Sequence, residues 1–168
     1  MARYTSIGTF IATSLVMGWN LHQMDVKTAF LNGVVDQEVY IEQSQGFTVH
    51  ESNSHVCRLK KALYGLKQAS GAWYARTDGF LKSLGFVKNN YDTNLYFKVV
   101  DGFPVILILY VDDLFLTRNE KLIVGCKKNL TEKFEIKDLG LMHYFMGLKC
   151  VKGMMRYFSI RESIQLRY

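Results

Sequence analysis

Two adjacent carboxylates, Asp112 and Asp113, interrupt a run that reads VILILYV before them and LFL after them. Removing an ionised carboxylate from water costs several kcal/mol unless something compensates, so a strand this hydrophobic has no folding reason to carry two anions side by side. At a tight turn both can stay exposed at the end of a sheet, and a solvated hairpin turn is the plain explanation. The chemical explanation is a divalent-cation site. Mg²⁺ favours a few carboxylate oxygens completed by waters and substrate phosphates, whereas Zn²⁺ would want His or Cys. A third carboxylate, Asp25 in HQMDVKTAF, stands at the end of another expected strand. If those strands are neighbours, three carboxylates meet at one end of a sheet. Such a cluster can hold two ions about 4 Å apart, one activating an attacking hydroxyl and one stabilising the leaving oxygen. Phosphoryl transfer is the chemistry this predicts, and at this level a polymerase and a metal-dependent nuclease look alike.

Holding these groups in place requires a sheet with helices packed on it. Ile7, Phe10, Ile11 and Leu15 recur at helical spacing and predict a short helix ending near Gly18. Asn20 to Asp25 and Val39 to Ile41 read as extended segments, and Gln43 to His55 as loop. Leu66, Ala69, Trp73, Phe80, Leu81 and Leu84 predict a long amphipathic helix stopped by Gly85. Asn94 to Val99, a turn at Asp101-Gly102 and Val105 to Tyr110 predict a hairpin, with Leu114 to Leu116 continuing as a further strand. Asn119 is the expected N-cap of a helix with Ile123, Cys126, Leu130 and Phe134 on one face. Leu141 to Val151 is the last expected strand. The fold class is α+β, a mainly antiparallel sheet packed on helices, with residues 1–168 as a single domain lacking a linker.

The composition suits this reading. The 168 residues are 49% hydrophobic and 14% aromatic with one proline, which excludes disordered and low-complexity classes. Cys57, Cys126 and Cys150 are too scattered for a disulfide framework or a zinc pair, so reduced thiols in an intracellular, non-secreted protein are expected. The longest apolar run, Val105 to Val111, falls well short of the roughly 20 residues that span a bilayer, so no membrane partner is expected. Met1 to Trp19 lacks a signal-peptide pattern. The net charge of +6 favours polyanionic partners. Arg58, Lys60, Lys61 and Lys67 suit phosphate contacts along a nucleic acid, whereas Lys127, Lys128, Lys133 and Lys137 read as a solvated face. His50, His55 and Cys57 lack a fourth ligand for a metal site.

The segments QMDVKTAFLNG, EVYIEQ, CRLKKALYGLKQA followed by Trp73-Tyr74, YVDD and FEIKDLG, in this order, resemble the reverse transcriptase of Ty1/copia-type LTR retrotransposons. The resemblance covers about residues 4–152. It implies a palm-like domain with partial fingers and an RNA-directed DNA polymerase activity. Asp25, Asp112 and Asp113 then correspond to the carboxylates that hold two Mg²⁺ ions, with Mn²⁺ able to substitute. Thr28 and Ala29 would face the triphosphate, Phe30 would exclude a ribose 2′-hydroxyl, and Gln68 would contact the incoming nucleotide. Tyr110 and Val111 would lie near the primer end. The implied partners are an RNA or DNA template-primer, a dNTP and the rest of a retroelement polyprotein. Ser70-Gly71 departs from the family's usual Pro-Arg, and Ser44 and Gly8 replace a usual proline and arginine. The resemblance also implies further fingers before Met1 and a thumb and RNase H after Tyr168, while Gly153 to Tyr168 carries no family pattern and leaves the primer grip unassigned. Two other functions fit the same residues: a catalytically inactive remnant that binds nucleic acid, and a two-metal nuclease.

Overall fold

Strand β1 (Asn20–Val26) reads NLHQMDV, and its alternation sends Leu21, Gln23 and Asp25 to one face and His22, Met24 and Val26 to the other. In the computed structural model, which describes residues 3–34, 37–44, 46, 55–118, 120–145 and 148–149, this strand lies inside a six-stranded antiparallel sheet. The other strands are β4 (Val87–Lys88), β5 (Leu95–Val100), β6 (Phe103–Tyr110), β7 (Asp113–Arg118) and β8 (Ile136–Leu141), in the spatial order β4-β5-β6-β7-β1-β8. Helix α1 (Tyr4–Val16) and helix α3 (Glu120–Lys133) complete this part of the fold. By its internal contacts the chain divides into two compact units, Met1–Lys27 with Gly85–Tyr168, and Thr28–Leu84.

In the first unit the two faces of the sheet are covered differently. Ile7, Phe10 and Ile11 of α1 pack on Leu21, Ile108, Phe115 and Met142, with Leu95, Ile106 and Tyr110 at the margin. Ser14 donates to Thr117 Oγ1 (2.9 Å), which donates to the Asn20 carbonyl (3.1 Å), so a buried hydroxyl chain ties the helix to β7 and β1. At the other end of α1, Asp92 accepts a hydrogen bond from the Arg3 backbone N–H (3.0 Å). Burial alone would raise the Asp92 pKa. Hydrogen bonds from Ser6, from the Arg3 backbone and from Asn94 outweigh it and hold the carboxyl below its ordinary range. On the opposite face Met24, Val26, Leu107, Leu109, Leu114 and Leu116 are buried, as are Ile123, Cys126 and Leu130 of α3 and Phe134 just past its end. The helical spacing of those four side chains is what the sequence predicts, and the N-cap expected at Asn119 lies outside the described residues.

The last sheet strand is β8, not a strand from Leu141 to Val151; in that stretch the described residues form only the short strands β9 (Tyr144–Phe145) and β10 (Leu148–Lys149), paired with each other. β8 escapes a periodicity reading because its register against β1 shifts between Gln23 and Met24, which leaves Leu139 as an extra residue, and Gly140 adopts φ +75°. Lys127, expected on a solvated face, is largely buried, with 15% side-chain exposure. Its ammonium donates to both Asp138 oxygens (2.9 and 2.8 Å) and lies 3.0 Å from His22 Nδ1. Asp138 Oδ1 also accepts from the Gly140 N–H (2.9 Å), so one carboxylate pins the bulge and anchors α3 to the edge strand.

The second unit holds a 3₁₀ turn (Ala29–Asn32), a two-stranded ribbon of β2 (Tyr40–Ile41) and β3 (Cys57–Arg58), and helix α2 (Ala69–Ser83). α2 begins later than the periodicity suggests: Leu66 sits in a preceding turn whose backbone leads into Ala69. It ends as expected, with Gly85 at φ +84° just past its C-cap. Trp73, Thr77 and Leu81 are buried, and the Thr77 hydroxyl is satisfied by the Trp73 carbonyl (3.1 Å).

Gly33 permits the closest approach in this unit, because a Cβ there would stand 2.9 Å from both Ala72 Cβ and Trp73 N. Gly71, by contrast, has nothing within 4 Å of a built Cβ and lies inside α2. Gly33→Ala is therefore expected to cost about 1–3 kcal/mol by overpacking, and Gly71→Ala to gain about 1 kcal/mol of helix propensity. Urea unfolding of the two variants would show shifts of opposite sign.

Candidate active site

The antiparallel register between β1 and β7 places Asp25 directly opposite Asp113. Cross-strand partners share a face, so both side chains project from the face that α1 covers farther along, on the rung of Tyr110 at the margin of that core. β6 and β7 are joined by the two residues Val111 and Asp112, closed by the pair Tyr110↔Asp113. The Asp112 carbonyl accepts the Val26 N–H (2.9 Å), which docks the turn onto the end of β1. The sheet thus brings Asp25 and Asp113 together as the sequence predicts and seats Asp112 beside them.

Val111 has φ +55°, a left-handed conformation that is costly for a β-branched side chain, about 1–3 kcal/mol. Strain of this size persists only where the surroundings over-determine the backbone. Here the Tyr110↔Asp113 pair on one side and the Asp112 to Val26 hydrogen bond on the other hold the turn.

Folding raises the pKa of Asp113. Burial raises its pKa, the Gln23 side chain opposes this by donating Nε2–H to Oδ1 (2.9 Å), and the charges of Asp112 and Asp25 push it up further. That Asp113 senses both neighbours is the electrostatic sign that the three carboxylates share one locality. Their oxygens do not close on one point: among the described residues no group of three His, Cys, Asp or Glu side chains is set to hold an ion. An all-oxygen donor set fits a hard cation that keeps waters and takes substrate oxygens, and does not fit Zn²⁺.

Two residues on this face escaped the sequence reading of the site. Lys137 on β8 is the register partner of Asp25 on the side away from Asp113, so a rung of Tyr110, Asp113, Asp25 and Lys137 crosses four strands. No sequence signal could find it once β8 itself was missed. Gln23, two residues before Asp25, could have been found from strand alternation alone.

The other candidates belong to the second unit. Thr28 is left-handed (φ +50°) and its carbonyl accepts the Leu31 N–H (2.9 Å), so it opens the 3₁₀ turn. Ala29 is fully buried, and Phe30 is half-buried with its ring 4.7 Å from that of Tyr64 at 54°. Gln68 is exposed at the N-cap of α2. Lys60, Lys61 and Lys67 are exposed, whereas Arg58 pairs with Glu38 (3.0 Å) at the surface. Cys57 and Cys126 are free thiols. No helix among the described residues is long and apolar enough to cross a membrane.

Because its pKa is raised by folding, Asp113 holds its proton more tightly in the native chain than in the unfolded one. Stability therefore falls as pH rises through the window between the two values, and the ionised form is a net cost at neutral pH. Asp113→Asn is expected to raise the melting temperature at neutral pH. That gain should shrink on acidification and vanish below about pH 3, under the ordinary Asp value of about 3.9, where the wild-type carboxyl is protonated in both states. Thermal melts of both proteins across this range would test it.

The chain matches the family described as reverse transcriptase (RNA-dependent DNA polymerase) over residues 1–160. It is 40% identical over 154 residues to the retrovirus-related Pol polyprotein from transposon TNT 1-94 of Nicotiana tabacum, covering 90% of this chain and 12% of that polyprotein. To the corresponding polyprotein from transposon RE1 of Arabidopsis thaliana it is 38% identical over 146 residues, covering 86% of this chain and 10% of the relative. A transposon Ty5-1 protein of Saccharomyces cerevisiae is 36% identical over 126 residues, covering 74% of this chain and 41% of the yeast protein. The chain spans about a tenth of the length of these plant polyproteins. No solved structure matches it. Matched over nearly its whole length by the family and similar over most of it to transposon Pol polyproteins, the chain belongs to the reverse transcriptase (RNA-dependent DNA polymerase) family, in its Ty1/copia-type branch.

Proposed function

We propose that Asp25, Asp112 and Asp113 are the carboxylate centre of an RNA-directed DNA polymerase, in which a primer 3′-hydroxyl attacks the α-phosphate of a dNTP. The O3′–Pα bond forms, the bond from Pα to the bridging oxygen breaks, the hydroxyl proton is lost and pyrophosphate leaves. The observation that carries this reading is the register pair Asp25↔Asp113 at the mouth of a two-residue turn containing Asp112. The family depends on divalent metal in general; two Mg²⁺ ions, when bound by these carboxylates, would lower the pKa of the attacking hydroxyl and stabilise charge on the leaving oxygens. The chain's own contribution is to hold the acids on a rigid sheet end, since misplacement by about 1 Å can cost 10²-fold in rate.

In this reading the first unit is palm-like and the second carries part of the fingers. The strained turn at Tyr110-Val111 offers a fixed backbone for the primer terminus. Phe30, its ring fixed against Tyr64, is the steric element that disfavours a 2′-hydroxyl. Thr28 and Ala29 contribute backbone to the triphosphate, and Gln68 contacts the incoming nucleotide. The exposed Lys60, Lys61 and Lys67, with Arg58 in exchange for its Glu38 partner, contact the phosphates of an RNA or DNA template-primer with salt-sensitive affinity. The rest of a retroelement polyprotein is a further partner of the chain.

Primer extension on an oligo(dT)-primed poly(rA) template with dTTP and Mg²⁺ tests the reading. The folded chain is expected to extend the primer, and Asp112→Asn to lose about 100-fold or more of that rate. Absence of extension by a folded chain would overturn the activity. Duplex binding that ignores Asp112→Asn would then identify a nucleic-acid-binding remnant, and template cleavage without dTTP a nuclease.

A further inference from the structure

Gln23 is a polar side chain on the carboxylate face that the proposed reaction leaves without a role. It stands two residues before Asp25 on β1 and opposite Phe115 on β7, which makes it the diagonal neighbour of Asp113. Along the same face of β1, Leu21 is buried beneath α1, so the position lies between an apolar core and a cluster of acids. A half-buried amide in that place needs a partner, and the partner is Asp113: Nε2 donates to Oδ1 at 2.9 Å. Holding one oxygen fixes the rotation of the carboxyl group about Cβ–Cγ, and with it the direction in which the other oxygen points. The residue type suits the task. A lysine would neutralise the carboxylate and compete with a cation, and a glutamate would repel it, whereas a neutral donor orients the group and leaves its charge available.

We infer that Gln23 is a positioning residue for Asp113, its amide N–H setting the direction in which that carboxylate presents its oxygens to a divalent cation. The inference rests on the reading of Asp25, Asp112 and Asp113 as a cation site. It also accounts for a neutral polar residue at a strand position whose predecessor on the same face is core.

Mn²⁺ binding to the full chain, followed by the paramagnetic resonance signal of the free ion, gives a readout independent of activity. Gln23→Leu removes the donor and Gln23→Asn withdraws it by one methylene, so two variants serve should one fail to fold. Each is expected to weaken Mn²⁺ binding by roughly 10–100-fold, the usual effect of removing a group that orients a metal ligand. Asp113→Asn retains Asp25 and Asp112 as a weaker site, and adding Gln23→Leu to it is expected to cause no further loss. Unchanged Mn²⁺ affinity in a folded Gln23 variant would overturn the inference. So would an equal loss in the Asp113→Asn background, because the glutamine would then act through something other than Asp113. If the wild-type chain fails to bind Mn²⁺, or binding survives both Asp25→Asn and Asp112→Asn, the cation-site reading itself falls and this inference with it.

Discussion

The pairing of β1 with β7 sets both the position and the cost of the acidic cluster. Antiparallel hydrogen bonding puts Asp25 across from Asp113, and the one-residue extension through Val26 and the Asp112 carbonyl locks the turn to the same strand. A slip of one residue would turn Asp25 to the face buried under α3 and expose Met24, so the apolar alternation of β1 enforces the register on which the site depends. Like charges brought together at a partly buried strand end repel and lose hydration. The raised pKa of Asp113 is the imprint of that cost, with burial as its largest cause. Other parts of the first unit offset it. α1 covers the apolar stretch of the face and leaves the acidic end partly solvated, and the paired strands support the strained backbone of Val111.

The opposite side of the sheet shows how the outer strand is kept in place. β8 is an edge strand with exposed Lys137 and Asp138 and a bulge, features that discourage pairing with another chain. Its attachment to the core runs through Lys127, whose ammonium bridges Asp138 and His22. Because that ammonium can only donate, His22 Nδ1 must be the acceptor, which selects the tautomer with its proton on Nε2. Burial works against the charge on Asp138, but the Lys127 hydrogen bond and the Gly140 N–H prevail and hold its pKa below the ordinary value. The same attachment carries Lys137 into line with Asp25, so a polar cluster beneath one face sets the register of a basic residue against the acids on the other.

The second unit is organised by a close contact instead of by a sheet. Gly33 lies against Ala72 and Trp73 at a distance that no Cβ would allow, and the left-handed Thr28 opens the turn that delivers it. Its basic residues remain at the surface. Arg58 pairs with Glu38 and Lys82 with Asp78, and exposed pairs such as Arg58–Glu38 contribute little, about 0–1 kcal/mol, so a polyanion could displace Glu38 at small cost.

Local pattern determined most of the elements. The i, i+3, i+4 apolar spacing of α1 and α3, the glycine that ends α2, and the Asp101-Gly102 hairpin are consequences of side-chain period and backbone freedom, which act over a few residues. The adjacent acids within an apolar run also marked the site, because an unpaired charge has no place in a buried strand. Register and edge structure were decided at longer range. That Asp25 meets Asp113 follows from which strands become neighbours. Lys137 joins the same rung only because a bulge, pinned by Asp138 and Gly140, shifts β8 by one residue. Lys127 reads as one more surface lysine until folding places a carboxylate and an imidazole beside it. Gln23 was visible as a neighbour of Asp25 on β1, but its hydrogen bond to a residue ninety positions away exists only once the sheet has formed. Sequence alone thus determined which residues carry charge and most of the helices and strands, and tertiary structure decided the edge strand β8 and which charges face one another. Coulomb and hydrogen-bond energies depend on distances in space, which chain separation does not specify.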